Sequence, residues 1–306
     1  MSEILSLTND VVMQMYFTRK GNKEQLKQFI KAVTHLTDDD LDQVEVKNPK
    51  LPKERVGEKD FIVDVNVITK TGHHINIDVQ VKGHDKFIER MVAYNARNFA
   101  SQLKRGDNYD LLKESISIVV VNFPLFKDTD EFYEHILFRR KNEKVFTNAQ
   151  QFYIIDLTKI ANEPIGVIGQ WAALFKAQSQ EELEMLSRDS EELNAAVEKL
   201  LELSEDEEVR YLAERRRDGE MLARTLENEA MRKGHEKGLA MGHAEGHAEG
   251  HAEGHAEGHA EGRAEERAKA ESEKLKIIKK MLTDGLSVED ISKYIGVSVE
   301  EIETLK

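Results

Sequence analysis

The chain has 306 residues, of which 40% are apolar and 33% charged, and a formal net charge of -14. This composition predicts a folded protein with one sizeable core and additional helical material, and it excludes a chain that is disordered throughout. Because the chain has no cysteine, disulfides, thiolate metal sites and a cysteine nucleophile are excluded. We find neither a signal peptide nor an apolar run of about 18 residues, so we expect a cytoplasmic protein without membrane association.

The acidic residues are concentrated in the second half of the chain. Residues 1–160 carry 24 Lys and Arg against 24 Asp and Glu, whereas the remaining residues carry 20 against 34. The first half is therefore neutral and can present a basic face, so the overall negative charge does not exclude a nucleic-acid partner.

The first half alternates helices and strands. A helix with a break at Gly21 is predicted over residues 9–33, with Thr8 or Asn9 as its cap, and a second helix over about 85–103. The predicted strands are 44–46, 61–68, 75–81, 115–123 and 151–157. Residues 115–123 are apolar on both faces, which is typical of a central strand. This order predicts a mixed α/β domain that is complete by about residue 175.

Two aspartates lie on the polar face of the hairpin predicted from residues 61–68 and 75–81. A three-residue loop that ends at Gly72, with this glycine in the left-handed conformation, brings the two apolar faces together. It sets Asp64 opposite Asp78. The same register sets Asn66 opposite Asn76.

Like charges in directly opposed positions are destabilising unless a counterion neutralises them, because their Cβ atoms lie about 5 Å apart. A divalent cation would neutralise Asp64 and Asp78, and oxygen ligands of this kind suit Mg²⁺ or Mn²⁺. The alternative is a solvated polar face with a different register.

Several segments together resemble the PD-(D/E)XK nuclease family transposases, also called the recombination-promoting nuclease or putative transposase family. They are LTNDVVMQMYF from Leu7, the stretch from Val63 to Phe126, the residues around Trp171, and DGLSVEDISKYIGVSVEEIETL from Asp284. The resemblance implies an α/β fold, with a restriction-endonuclease-like αβββαβ core followed by an extended all-helical C-terminal region. The predicted domains are a nuclease-like domain (1–177), an acidic helical region (178–233), a repeat spacer (234–263) and a C-terminal helical tail (264–306).

The resemblance also implies a set of site residues in the hairpin. Asp64, Asp78 and the carbonyl of Val79 would hold Mg²⁺ or Mn²⁺ for hydrolysis of a DNA phosphodiester. Gln80 stands where the motif that names the superfamily has lysine. Lys82, on the same strand face, is the candidate for the missing cation near the attacked phosphate.

Residues outside the hairpin support this site. Asp10 falls on the acidic position of the N-terminal motif, and Arg90 and Tyr94 match an Arg-x-x-x-Tyr pattern that would face the site from the next helix. For the last two, a surface pair is the alternative. The remaining cations expected to grip DNA are Arg97, Lys104, Arg105 and residues 139–141, the last of which would otherwise be a solvated charge run.

A tetrapeptide repeat covers residues 242–262, with histidines at 243, 247, 251, 255 and 259. Histidines four apart on a helix can chelate Zn²⁺ or Ni²⁺, but no third ligand is defined, and the histidine stripe drifts about 40° per repeat. Each glycine also costs a helix about 1 kcal/mol. We therefore favour a spacer that binds Zn²⁺ or Ni²⁺ only adventitiously, with a metal-buffer role as the alternative.

The C-terminal residues predict two or three short helices, with Ser287 and Ser298 as caps. Short helices joined by glycine resemble a helix-turn-helix, but the glutamates of the last helix would repel phosphates. Docking or homo-oligomerisation is the favoured interpretation, through Ile291, Ile295, Val299 and Ile302.

The sequence thus supports a metal-dependent DNA endonuclease as the first hypothesis. The alternative is a non-catalytic DNA-binding or assembly protein that keeps a degenerate nuclease site as a scaffold.

Overall fold

The computed structural model describes residues 4–47, 64–161, 166–188 and 191–305. Two compact units are present, Met1–Leu222 and Ala223–Lys306. Within the described residues, no helix has an apolar stretch long enough to cross a lipid bilayer.

A six-stranded mixed sheet organises the first unit, with strand order β1-β2-β3-β4-β6-β5. The strands are β1 (Val44–Lys47), β2 (Val65–Thr69), β3 (His74–Gln80), β4 (Ser115–Val121), β5 (Tyr133–Arg139) and β6 (Val145–Asp156). β3, β4 and β6 run parallel, and the other neighbours are antiparallel. All seven residues of β4 are buried, which confirms the central strand expected from its apolar faces.

The predicted register of the β2–β3 hairpin is confirmed. Asn66 pairs with Asn76, and the backbone N–H of Thr69 donates to the carbonyl of His73 at 3.0 Å, which leaves a three-residue loop. Gly72 has φ of 91°, the left-handed conformation that this loop requires. The first three residues predicted for the strand, 61–63, lie outside the described residues.

The helix predicted over residues 9–33 is broken at Gly21, as expected, and forms two helices. These are α1 (Asp10–Thr18), capped by Asn9, and α2 (Lys23–Val33), with a 3₁₀ turn that contains Gly21 between them. They pack on one face of the sheet around an aromatic cluster, in which the Phe29 ring lies 5.3 Å from that of Trp171. The short helix α3 (Asp38–Leu41) precedes β1.

Helix α4 (Phe87–Ala100) covers the opposite face of the sheet and connects β3 to β4. Its residues Phe87 and Met91 pack in a separate apolar cluster with β4 and β6 side chains. The helix lies within the segment predicted as helical, and it provides the crossover that two parallel strands need.

The apolar core of the first unit extends beyond residue 177. It includes side chains from α5 (Gly166–Lys176), α6 (Gln180–Ser187), α7 (Glu191–Ser204) and the start of α8 (Glu207–Thr283). Val209 and Ala213 are the α8 residues in this core. The domain limits proposed from the sequence stay a prediction.

Strand β5 was not predicted, and β6 begins at Val145, six residues before the predicted start at residue 151. The outer part of this hairpin is largely exposed and lacks a continuous apolar face, so it has no strong periodic signal.

The second unit contains the remainder of α8, then α9 (Val288–Ile295) and α10 (Val299–Glu303). Ser287 and Ser298 cap the two short helices as predicted. Ile291 and Ile302 are buried in a small core with Ile278, so both side chains pack within the second unit. Oligomerisation through these helices stays a prediction.

Candidate active site

The two predicted acidic residues lie together at one end of the sheet. Asp64 immediately precedes β2, and Asp78 lies near the end of the neighbouring strand β3. The backbone N–H of Val79 donates to Asp64 Oδ2 at 2.9 Å, and the backbone N–H of Asp64 donates to Asp78 Oδ1 at 3.2 Å. These two bonds fix both carboxylates. Within the described residues, the second oxygen of each carboxylate accepts no hydrogen bond.

The environment of this pair disfavours two negative charges. Burial and the charge of Asp78 raise the pKa of Asp64, although the hydrogen bond from Val79 opposes the rise. Burial likewise raises the pKa of Asp78, against the hydrogen bond from Asp64 and the positive charge of Arg90. Bringing a positive charge to two partly buried carboxylates with raised pKa values would lower the cost of ionising both.

Helix α4 forms one wall of the site. Gln80 and Asp78 line a small cavity together with Arg90 and Tyr94, the arrangement that the family resemblance implied. The guanidinium of Arg90 lies 5.8 Å from the Tyr94 ring centroid and 5.4 Å from that of Phe87. Both distances are in the cation–π range, so the two rings position the arginine beside Asp78.

The N-terminus of α1 and the start of α8 form the opposite wall. Asp10 accepts a hydrogen bond from Arg216 Nε at 2.8 Å, and its second oxygen pairs with Arg216 Nη2. Asn9 Nδ2 also donates to the carbonyl of Ala213 at 3.2 Å, which ties the two helices together. Asp10 raises and Arg216 lowers the pKa of Asp64, so both charges act on the carboxylate pair.

The other cations predicted for the site or for DNA binding do not all lie beside the two carboxylates. Lys82 is exposed beyond the end of β3, and Arg97 is half-buried on α4, one turn beyond Tyr94. Lys104 and Arg105 follow α4 at the other end of the sheet, because the preceding Gln102 binds the backbone of Lys113 just before β4.

The basic cluster at residues 139–141 is also remote from the carboxylates. Arg139 pairs with Val145 at the start of β6, whereas the end of β6 lies beside the end of β4 on the Asp78 side. The structure therefore does not bring this turn to the site, and its contact with DNA stays a prediction.

Arg216 is the residue of this site that sequence reasoning missed. It is 206 residues from its partner Asp10, so no local pattern connects the two. The available signal was the run of three arginines at 215–217, which interrupts an otherwise acidic segment.

The donor set fits a hard divalent cation. Carboxylate oxygens are preferred by Mg²⁺ and Mn²⁺, and Mg²⁺ is typically held by one or two carboxylates with water and substrate phosphate as further ligands. Across the described ranges, no group of three or more His, Asp or Glu side chains is placed to hold a metal ion.

Comparison with known proteins places this geometry in a family. The sequence profile of the PD-(D/E)XK nuclease family transposases matches residues 7–223, a span that includes the sheet, both aspartates and Arg216. In the comparisons with curated proteins and with solved structures, nothing matches.

Proposed function

The chain belongs to the PD-(D/E)XK nuclease family transposases, and on this premise we propose that it is a metal-dependent DNA endonuclease that acts in recombination or mobile-element processes. The observation that supports this most is the pair of hydrogen-bonded carboxylates, Asp64 and Asp78, at the end of the sheet. We also propose that the helices before β1, strands β1 to β3, α4 and β4 form the αβββαβ core of the superfamily.

Asp64, Asp78 and the carbonyl of Val79 would hold Mg²⁺ or Mn²⁺. When bound, the ion supplies positive charge that stabilises the negative transition state and acidifies a water molecule. The protein's own contribution is to fix the carboxylates: each accepts a backbone N–H from the neighbouring strand, so neither has to reorganise when substrate binds.

The proposed reaction is hydrolysis of a phosphodiester. A water oxygen forms a bond to phosphorus, the bond from phosphorus to one bridging oxygen breaks, and a proton from the water passes to the leaving oxygen. The products are a phosphate monoester and a hydroxyl end. Gln80 lines the same cavity as Asp78, so its amide can orient the attacking water.

Nicking and linearisation of supercoiled plasmid would test this function. Wild type and the variants Asp64→Asn, Asp78→Asn and Asp85→Asn are compared in Mg²⁺, Mn²⁺, Ca²⁺ and EDTA. Asp85 is an exposed carboxylate and serves as the matched control. We expect wild type and Asp85→Asn to cleave in Mg²⁺ or Mn²⁺, with no cleavage by the other two variants or in EDTA.

Equal plasmid cleavage by all four proteins, or cleavage by none of them, would refute the proposed endonuclease activity. Plasmid binding without cleavage would favour the second candidate, a non-catalytic DNA-binding or assembly protein. The neutral Gln80 at the lysine position of the motif is the observation that favours this second candidate.

A further inference from the structure

Arg216 lies on the face of α8 that packs against the other helices of the first unit. Val209 and Ala213 are buried on this helix, and Arg216 follows Ala213 by three residues, so it continues the same stripe. Its neighbour Arg215 lies off this stripe, is exposed, and contacts Tyr211 of its own helix. The direction of Arg216 toward the carboxylates therefore follows from helical geometry.

The pair with Asp10 fixes the orientation of the guanidinium. Nε and Nη2 engage the two carboxylate oxygens in a fork, a geometry that lysine cannot reproduce. Nε also lies 3.4 Å from Glu220 Oε1, whereas within the described residues Nη1 makes no hydrogen bond, and the Arg216 side chain is 48% exposed. The arginine is thus held in place, yet it keeps donors for a further acceptor.

The site needs such a cation. Phosphodiester hydrolysis places additional negative charge on the non-bridging oxygens, and the position that carries lysine in the motif is the neutral Gln80. Lys82 is exposed beyond the end of β3. Arg90 lines the cavity of Asp78, whereas Asn9 and Ala213, which lie next to Asp10 and one turn before Arg216, line a second cavity with Val81 at the end of β3.

We propose that Arg216 binds the non-bridging oxygens of the scissile phosphate and that Asp10 orients its guanidinium for this contact. The proposal rests on the hydrolytic function given above. It adds to the active site a residue from the long helix that follows the sheet.

The test uses the full chain and the variants Arg216→Gln, Arg216→Lys and Lys82→Ala, with Arg215→Ala as the matched control. Glutamine keeps a hydrogen-bond donor for Asp10 but removes the charge. The readouts are single-turnover cleavage of a labelled duplex, duplex affinity in EDTA by fluorescence anisotropy at several salt concentrations, and Tm.

We expect Arg216→Gln to cleave about 100-fold more slowly, the loss typical of one oxyanion donor. Arg216→Lys should lose about 10-fold, because it keeps charge without the fork, and Arg215→Ala should cleave at the wild-type rate. In EDTA, Arg216→Gln should reduce the slope of log affinity against log salt by about 1, the value for one phosphate contact.

A wild-type cleavage rate in Arg216→Gln would overturn the proposal. A loss of cleavage rate in Lys82→Ala alone would overturn it as well. If Arg216→Gln is unfolded at the assay temperature, Arg216→Lys decides: a 10-fold loss at wild-type Tm supports the contact, and a wild-type rate refutes it. Absence of cleavage by wild type would instead refute the nuclease function, and the salt slope would then still report whether Arg216 contacts phosphate.

Discussion

Replacing Asp64 by asparagine is expected to stabilise the metal-free protein at alkaline pH. The register of the hairpin sets Asp64 opposite Asp78, and opposed Cβ atoms are about 5 Å apart. At an effective dielectric constant of about 20, two unit charges at this distance repel by about 3 kcal/mol. Asparagine removes this repulsion and keeps an oxygen for the N–H of Val79.

The sign of the pH dependence follows from the raised pKa values of both aspartates. Above the usual aspartate pKa of 3.8, the folded state binds more protons than the unfolded state, so the metal-free protein loses stability as the pH rises. The gain from Asp64→Asn should therefore be about 3 kcal/mol at pH 8 and below about 1 kcal/mol at pH 4.

Calorimetry or urea unfolding in EDTA at pH 4 and pH 8 measures this difference. A gain of about 3 kcal/mol corresponds to a rise in Tm of about 6–12 °C for a unit of this size. Asp85→Asn is the control and should leave the stability unchanged at both pH values. Added Mg²⁺ or Mn²⁺ should stabilise wild type and not Asp64→Asn. Equal stability of the two proteins at pH 8, or the same gain at both pH values, would refute the reasoning.

Three further experiments probe the fold and the repeat. Tyr16→Phe removes a buried bond of 2.9 Å to the carbonyl of Ala196 and should cost about 1–2 kcal/mol in urea unfolding; an unchanged midpoint would contradict it. Gly72→Ala forces a side chain into the left-handed loop and should cost about 1–2 kcal/mol by the same assay, whereas Gly234→Ala, in the exposed part of α8, should not destabilise. Replacing the five repeat histidines by glutamine should abolish retention on a nickel column and leave plasmid cleavage unchanged; loss of cleavage would show that the repeat is more than a spacer.

The hairpin was predictable because two local constraints agree. Side chains alternate strictly along a strand, so only one parity of the loop brings the valine and isoleucine faces together, and Gly72 supplies the conformation that this loop needs. The same alternation placed Asp64 and Asp78 at one end of the strands. The family resemblance, and not the four-residue spacing alone, predicted that Arg90 and Tyr94 face this site, and both line a cavity with Asp78.

The parts that escaped prediction depend on distant contacts or weak local patterns. Strand β5 gains its order from pairing with β6, and its side chains are half-buried or exposed, so the sequence shows no apolar alternation there. The Asp10–Arg216 pair joins two helices from opposite ends of the first unit. Charge alone could not distinguish Arg216 from its neighbours, because only helix packing determines which of three adjacent arginines faces the carboxylates.

Residues 5–10 form hydrogen bonds to partners about 200 residues later in the chain, so these contacts can form only late in synthesis. Leu5 binds the side chain of Ser204, Asn9 binds Ala213 and Asp10 binds Arg216, separations of 199, 204 and 206 residues. At about 5–20 residues per second, a ribosome needs about 10–40 s to make that length. Leu5, Asn9 and Asp10 therefore wait for partners that are synthesised much later, and a nascent chain released before α8 begins would carry both aspartates without the arginine that pairs with Asp10.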